Sequence, residues 1–135
     1  MSLDPIDTKI LTILKNDSRL SHKEIGEMVH RTGQAVGQRI AKMQDEGLIQ
    51  KYSIVIQHHA TQFIRVMMQN NRFAEFEAFT QQFEQIESCF KVSGSACYML
   101  VGHFEHSALN HFIEQLSDWG QYSVDSVVRQ VSPTE

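Results

Sequence analysis

The sequence predicts an α+β protein in which an N-terminal winged helix-turn-helix is followed by a ferredoxin-like βαββαβ domain. Two short runs with helical periodicity, joined by a turn, occupy residues 21–46. A β-branched run follows them, and the second half of the chain alternates strand-like and helix-like patterns. We therefore expect two domains, residues 1–57 and residues 58–135.

Two helices are predicted before the turn. Ser21 and Glu24 have the spacing of a capping box, in which each side chain accepts a hydrogen bond from the other residue's amide, so a helix begins there. Its apolar stripe consists of Ile25, Met28 and Val29. An earlier helix is predicted near the N-terminus, because apolar residues repeat there with helical period. They are Leu3, Ile6, Ile10, Ile13 and Leu14.

A third helix and a wing are predicted after the turn. Thr32 is the expected N-cap, following the turn residues His30 and Arg31. The apolar residues Val36, Ile40 and Met43 then recur at helical spacing, which places the polar residues between them on the exposed face. Gly47 ends the helix as a residue that requires positive φ. Residues 48–57 are rich in β-branched and aromatic side chains, which predicts a wing hairpin.

The second half has the strand and helix order of a ferredoxin-like domain. Strands are predicted at residues 62–69, 86–92, 98–104 and 122–131. Phenylalanines at helical spacing predict a helix at residues 72–85 with an aromatic core face, and Leu109 to Leu116 form a second helix. Such a unit leaves one sheet face uncovered. A second copy of the chain would cover that face, so we expect a homodimer.

Composition narrows the class of protein. With 135 residues, of which 41% are hydrophobic, the chain is expected to form packed cores. We expect no membrane association and a cytoplasmic location, because the sequence contains neither a spanning apolar stretch nor the pattern of a signal peptide. Cys89 and Cys97 are expected to be reduced thiols. The net charge of −4 is uneven: residues 1–57 carry 8 basic and 7 acidic side chains, and residues 58–135 carry 4 and 9.

A helix-turn-helix makes double-stranded DNA the first partner to consider. Glutamine side chains near the start of the third helix can pair with adenine, and alanine can pack on a thymine methyl group, so an A/T-leaning half-site is predicted. The cationic side chains are expected to contact phosphates. The alternative is an ordinary solvated helix face. The candidate DNA-binding residues are Arg31, Thr32, Gln34, Ala35, Gln38, Arg39, Lys42 and Lys51.

The order of these features resembles the Lrp/AsnC (feast/famine) family of transcriptional regulators. The resemblance rests on LDPIDTKILTILKNDSRLS at the N-terminus, GLIQKY at the predicted wing and FKVSG at the hairpin. The family's opening pattern corresponds to Asp4, Asp7, Ile10 and Leu11, its recognition-helix pair to Arg39 and Ile40, and its turn into the wing to Gly47, Leu48 and Ile49. The resemblance implies operator binding by a dimer, often assembled into octamers, and a second domain that often binds an amino acid or related metabolite.

The hairpin departs from the family's pattern at the expected effector site. The family usually has Gly-Asp-x-Asp there, whereas this chain has Gly94-Ser95-Ala96-Cys97. An effector's amino group would therefore lose two charge-assisted partners. Gly94, Ser95, Ala96, Cys97 and Tyr98 are the candidate effector-binding residues. Arg31 stands where the family usually has an apolar residue, which favours a phosphate contact.

Other functions are weaker hypotheses. A paralogue that co-assembles or binds a ligand without recognising DNA independently is an alternative, because the first domain carries little positive charge. Sirohaem decarboxylases share the architecture, but the first predicted strand here reads QFIRVMM and the only tryptophan is Trp119, so we expect no enzyme. His103, His106 and His111 cluster in sequence without the ligand spacing of structural zinc. We therefore expect no metal or cofactor, apart from a small-molecule effector.

Overall fold

The computed structural model describes residues 2–132 and contains two compact units that divide between Val55 and Ile56. The predicted boundary lies two residues later, between residues 57 and 58. The N-terminal unit is helical, and the C-terminal unit contains one four-stranded sheet and two helices. Each helix within the described residues is too short or too polar to cross a membrane.

Three capped helices form the N-terminal unit: α1 (Pro5–Asn16), α2 (His22–Val29) and α3 (Gly33–Asp45). The predicted capping box at α2 is confirmed, since Ser21 Oγ accepts from the Glu24 amide at 3.0 Å and Glu24 Oε1 accepts from the Ser21 amide at 3.0 Å. Thr32 caps α3 as predicted, with its hydroxyl accepting from the Ala35 amide at 3.1 Å. The core of this unit consists of Ile10, Ile25, Val29, Val36, Ile40 and Met43.

The predicted wing hairpin is wrong. Gly47 does adopt positive φ, at 79°, but residues 48–61 contain no strand. Ile54, Val55 and Ile56 are strongly exposed, and Val55 is fully so. β-Branched composition favours extended backbone, yet a strand also requires a neighbouring strand to bond with. Within residues 2–132 no segment supplies that neighbour, so the run stays a loop.

The C-terminal unit has the predicted βαββαβ order. Its elements are β1 (Gln62–Met68), α4 (Phe73–Thr80), β2 (Ile86–Lys91), β3 (Tyr98–Gly102), α5 (His106–Leu116) and β4 (Gly120–Ser126). The strands pair antiparallel in the order β2-β3-β1-β4. The last strand was predicted at residues 122–131, but it begins at Gly120 and ends at Ser126, where its partner β1 also runs out. Val128 and Val131, beyond that point, are exposed.

Alternation along β1 separates the two sheet faces. Ile64 and Val66 are buried under α4 and α5, in a core with Phe76, Phe79, Tyr98, Leu100, Phe104, Phe112 and Leu116. Gln62 is also buried, and its amide is satisfied at both ends by the backbone of Phe104, at 2.9 Å each. The opposite face carries Phe63 and Met67, which are exposed. One apolar sheet face of this unit is therefore uncovered within the chain.

Candidate nucleic-acid interface

A tight turn joins α2 to α3. His30 closes α2 in the left-handed conformation, with φ of 57°, and the amide of Arg31 donates to the carbonyl of Gly26 at 2.9 Å. The backbone of the turn passes so close to Gly26 that a Cβ at this position would overlap the carbonyl oxygen of Arg31. The glycine therefore lets the turn fold back onto α2, and the turn fixes where α3 begins.

Gln34, Gln38 and Lys42 form an exposed row along α3. They are four residues apart, so they lie above one another on the same side of the helix. Ala35, near the start of the helix, is half-buried, and its amide is occupied by the Thr32 hydroxyl. Val36 and Ile40 point the other way and are buried. Packing on one side thus holds the polar row on the other side towards solvent.

Arg39 corrects an expectation. It was predicted to contact phosphate, but its Nη1 lies 2.6 Å from Asp4 Oδ2 and 2.9 Å from Asp7 Oδ1. The hydrogen bond from Arg39 is the main cause that lowers the pKa of Asp4, and the bonds to Asp4 and Asp7 raise the pKa of Arg39. Two carboxylates face one guanidinium, so the cluster does not attract a phosphate. The contact instead ties α3 to the first turn of α1.

The other cationic candidates remain open to a phosphate. Arg31, Lys42 and Lys51 are exposed, and none of them belongs to an ion pair within residues 2–132. Arg31 donates from Nη1 to the carbonyl of His30 at 2.9 Å, which leaves the rest of its guanidinium free. Lys51 lies in the loop after α3. All three are in the N-terminal unit.

The expected effector residues do not form one surface. Tyr98 is fully buried in the core, where its hydroxyl bonds to Glu77 Oε2 at 2.5 Å; burial and then this carboxylate raise its pKa. Ala96 is buried as well, so neither side chain is open to a ligand, contrary to expectation. Both lie on the inner side of the hairpin, since alternate residues of a strand point to opposite faces. Gly94 and Ser95 are exposed, and Cys97 is half-buried.

One cluster of functional side chains is missed by the sequence pattern. His103 was grouped with His106 and His111, but those two are exposed on α5. The structure instead brings His103 beside His58 and Glu87. The three are separated by long stretches of sequence, so only the folded sheet reveals them.

The N-terminal unit thus presents a capped third helix, held against two others by a tight turn, with an exposed polar row. This geometry defines the helix-turn-helix class of DNA-binding proteins. A family model described as the AsnC-type helix-turn-helix domain matches residues 3–44, and a model described as the Lrp/AsnC ligand binding domain matches residues 61–134. The chain belongs to the Lrp/AsnC family, and it is a DNA-binding transcriptional regulator.

Individual relatives agree with this family. The transcriptional regulator LrpB of Bacillus subtilis is 37% identical over 97% of this chain and 92% of its own length. The leucine-responsive regulatory protein of Salmonella typhimurium is 32% identical over 73% of this chain and 65% of its own length. The solved structure of B. subtilis LrpC has a TM-score of 0.91 and 27% identity, and the match covers 99% of this chain and 100% of that one. The family consists of transcriptional regulators rather than enzymes.

Proposed function

We propose that α3 enters the major groove and that Gln34 and Gln38 read base edges there. The observation that carries the proposal is the exposure of both amides, one helical turn apart, on the face opposite the core of the unit. Each amide can pair bidentately with adenine, and Ala35 can pack on a thymine methyl group, so the half-site is A/T-rich. Thr32 caps the helix and holds its first turn in place for this contact.

Arg31, Lys42 and Lys51 position the helix by contacting phosphates. Contacts of this kind carry no sequence information but fix the register of the protein on the duplex. Arg39 has another part in this proposal: by bonding to Asp4 and Asp7 it holds α3 against α1 and so orients the reading face. With few free cations in one chain, two chains acting together bind DNA far better than one.

The functional unit is a homodimer that pairs through the C-terminal unit. Phe63 is 44% exposed and Phe90 is 56% exposed, and their strands β1 and β2 both pair with β3 in one sheet. Exposed apolar patches of this kind mark association surfaces. The unpaired β-branched side chains at residues 54–56 are a second surface that a partner chain would cover.

Replacing Phe63 with Glu tests the dimer. The charge would be buried in the interface, so the variant should elute as a monomer in size-exclusion chromatography with light scattering. Met28, an equally exposed apolar residue on α2, provides the control, and Met28→Glu should keep the mass of the parent assembly. The same measurement separates a dimer from an octamer. A Phe63→Glu protein of unchanged mass would exclude the sheet face as the interface.

The effector of this proposal is an amino acid or a related metabolite. The C-terminal unit matches a domain described as ligand binding, and one relative is named as leucine-responsive. At the hairpin, only Gly94, Ser95 and part of Cys97 are accessible, and none is a carboxylate. A ligand there is held by hydroxyl and backbone groups, which favours a ligand without a strong demand for a negatively charged partner. The protein acts in the cytoplasm with the DNA it regulates and performs no catalysis.

A gel-shift titration with the protein's own upstream region tests the proposed function. It is repeated at two salt concentrations and with a panel of amino acids. We expect a specific complex that weakens at higher salt, since phosphate contacts release counterions, and that responds to one amino acid. No specific complex would favour the co-assembling paralogue. A salt-dependent complex that ignores every amino acid would keep the regulator and remove the effector.

A further inference from the structure

Three side chains that the DNA-binding function does not use converge within the C-terminal unit. His58 lies before β1, Glu87 lies on β2, and His103 directly follows β3. Each offers one ligand atom, and these atoms lie within 4.8 Å of one another. We propose that this cluster binds one divalent transition-metal ion of the zinc class per chain. The proposal does not depend on how the N-terminal unit reads DNA.

The hydrogen bonds of His103 leave one ring nitrogen prepared for a cation. Its Nδ1 lies 3.1 Å from the carbonyl oxygen of Ala60, which can only accept, so Nδ1 carries the proton and donates. In a neutral ring, Nε2 then presents a lone pair. That lone pair faces Glu87 Oε1, also an acceptor, at 3.0 Å. Two acceptors at this distance need a positive charge between them, which is either a proton on the ring or a metal ion.

The same arrangement favours metal binding over an ordinary ion pair. A ligating histidine typically donates its other ring N–H to a backbone carbonyl or carboxylate, which fixes the tautomer and the ring orientation. Ala60 supplies that carbonyl here, and Thr61 Oγ1 also lies 3.0 Å from Nδ1. Tetrahedral zinc with bonds of about 2.0–2.1 Å places neighbouring ligand atoms roughly 3.3 Å apart. His103 and Glu87 therefore need to separate by only a few tenths of an ångström.

His58 completes the ligand set after a rotation of its side chain. Its ring is stacked on that of His103, with centroids 3.4 Å apart and planes within 5° of parallel. A ligating lone pair lies in the ring plane, and two parallel planes at this separation cannot share one ion. Because His58 is exposed, its ring is free to turn about its side-chain torsions until a nitrogen points at the ion. Coordination then replaces the stacking contact.

The chemistry of the donors selects the ion. Two imidazoles and one carboxylate suit Zn²⁺, Co²⁺ or Ni²⁺, whereas Mg²⁺ and Ca²⁺ prefer ligand sets made of oxygen alone. Three protein ligands leave at least one coordination position to water. An ion held here would fasten residues 58–61, the segment that enters β1, to β2 and to the end of β3. The folded C-terminal unit, rather than a sequence motif, creates the site.

Isothermal titration of the full-length, tag-free protein with Zn²⁺, after treatment with a chelator, tests the site. We expect one ion per chain, with no binding of Mg²⁺, and an affinity that falls as the pH is lowered because protons compete for the ligands. His58→Ala and Glu87→Gln each remove one exposed ligand and should weaken Zn²⁺ binding at least tenfold, since even partners outside the coordination sphere contribute about 10–100-fold. Circular dichroism of both variants checks that the fold is retained.

His106→Ala provides the matched control, because it removes an exposed histidine of the same unit that lies outside the cluster. This variant should bind Zn²⁺ as the parent protein does. The proposal is overturned if the parent binds no Zn²⁺ at a saturable ratio of one per chain. It is equally overturned if His58→Ala or Glu87→Gln binds as tightly as the parent, or if His106→Ala loses as much affinity as they do.

Discussion

Gly26 and Gly37 allow a matched test of how the helix-turn-helix is built. Both are helical glycines, and replacing a helical glycine with alanine gains about 1 kcal/mol from backbone propensity. At Gly37, on α3, the added Cβ would meet only the His22 ring, whose Nδ1 would lie 2.9 Å away. His22 is exposed and can rotate aside. We expect Gly37→Ala to stabilise the N-terminal unit by about 0.5–1 kcal/mol.

The same substitution at Gly26 should have the opposite sign. There the Cβ would overlap the carbonyl oxygen of Arg31 and would lie 3.2 Å from the carbonyl carbon of Thr32 and 3.3 Å from the amide nitrogen of Gly33. All three are backbone atoms of the turn, which cannot rotate away. Overpacking of this kind costs roughly 1–3 kcal/mol. We take the upper half of that range and offset it by the propensity gain, so Gly26→Ala should destabilise the unit by about 1–2 kcal/mol.

Urea denaturation of both variants, followed by circular dichroism, measures these free energies. The helical signal includes α1 to α3, whereas the single Trp119 reports only on the C-terminal unit. The order of stability should be Gly37→Ala, then the parent protein, then Gly26→Ala. A Gly26→Ala protein as stable as the parent would show that the turn does not pack against α2 as described.

Three further outcomes follow from specific contacts. Arg39→Ala should lower thermal stability but leave the salt dependence of DNA binding unchanged, whereas Lys42→Ala should reduce the slope of log affinity against log salt by about 0.9 per phosphate contact, measured by fluorescence anisotropy. The pKa of Asp4 is lowered mainly by Arg39 and that of Glu24 mainly by the Ser21 amide. Their stabilisation is therefore complete above the ordinary values of 3.8 and 4.5 and is lost as the pH falls through the lowered ones, so acid melting curves should flatten in Asp4→Asn. Phe112→Ala should cost the C-terminal unit about 3–5 kcal/mol in urea denaturation, because this fully buried ring stacks on Phe104.

Local signals in the sequence were sufficient for the helices of the N-terminal unit. The Ser21 and Glu24 capping box and the Thr32 cap involve residues three positions apart, so their geometry follows from the sequence itself. The exposed positions of Gln34 and Gln38 follow from helical periodicity in the same way. The order of strands and helices in the C-terminal unit was likewise predictable from alternation and aromatic spacing.

Contacts between distant parts of the chain were not predictable. Periodicity placed Arg39 on the exposed side of its helix, but it could not show that Asp4 and Asp7 approach that side from α1. The β-branched residues 54–56 promised a wing, although no strand within the described chain pairs with them. The approach of His58 to His103 depends in the same way on how the sheet is assembled.

The central claim is that α3 reads DNA sequence through its exposed amides. Gln38→Ala tests it against Gln44→Ala, which removes another exposed glutamine of the same helix away from the polar row. Affinities are measured by fluorescence anisotropy for a selected operator and for a scrambled duplex. Gln38→Ala should weaken operator binding about 5- to 100-fold, the range for losing one bidentate base contact, and leave scrambled DNA and the Gln44→Ala protein unaffected. Equal loss on both duplexes, or no loss on the operator, would contradict the claim.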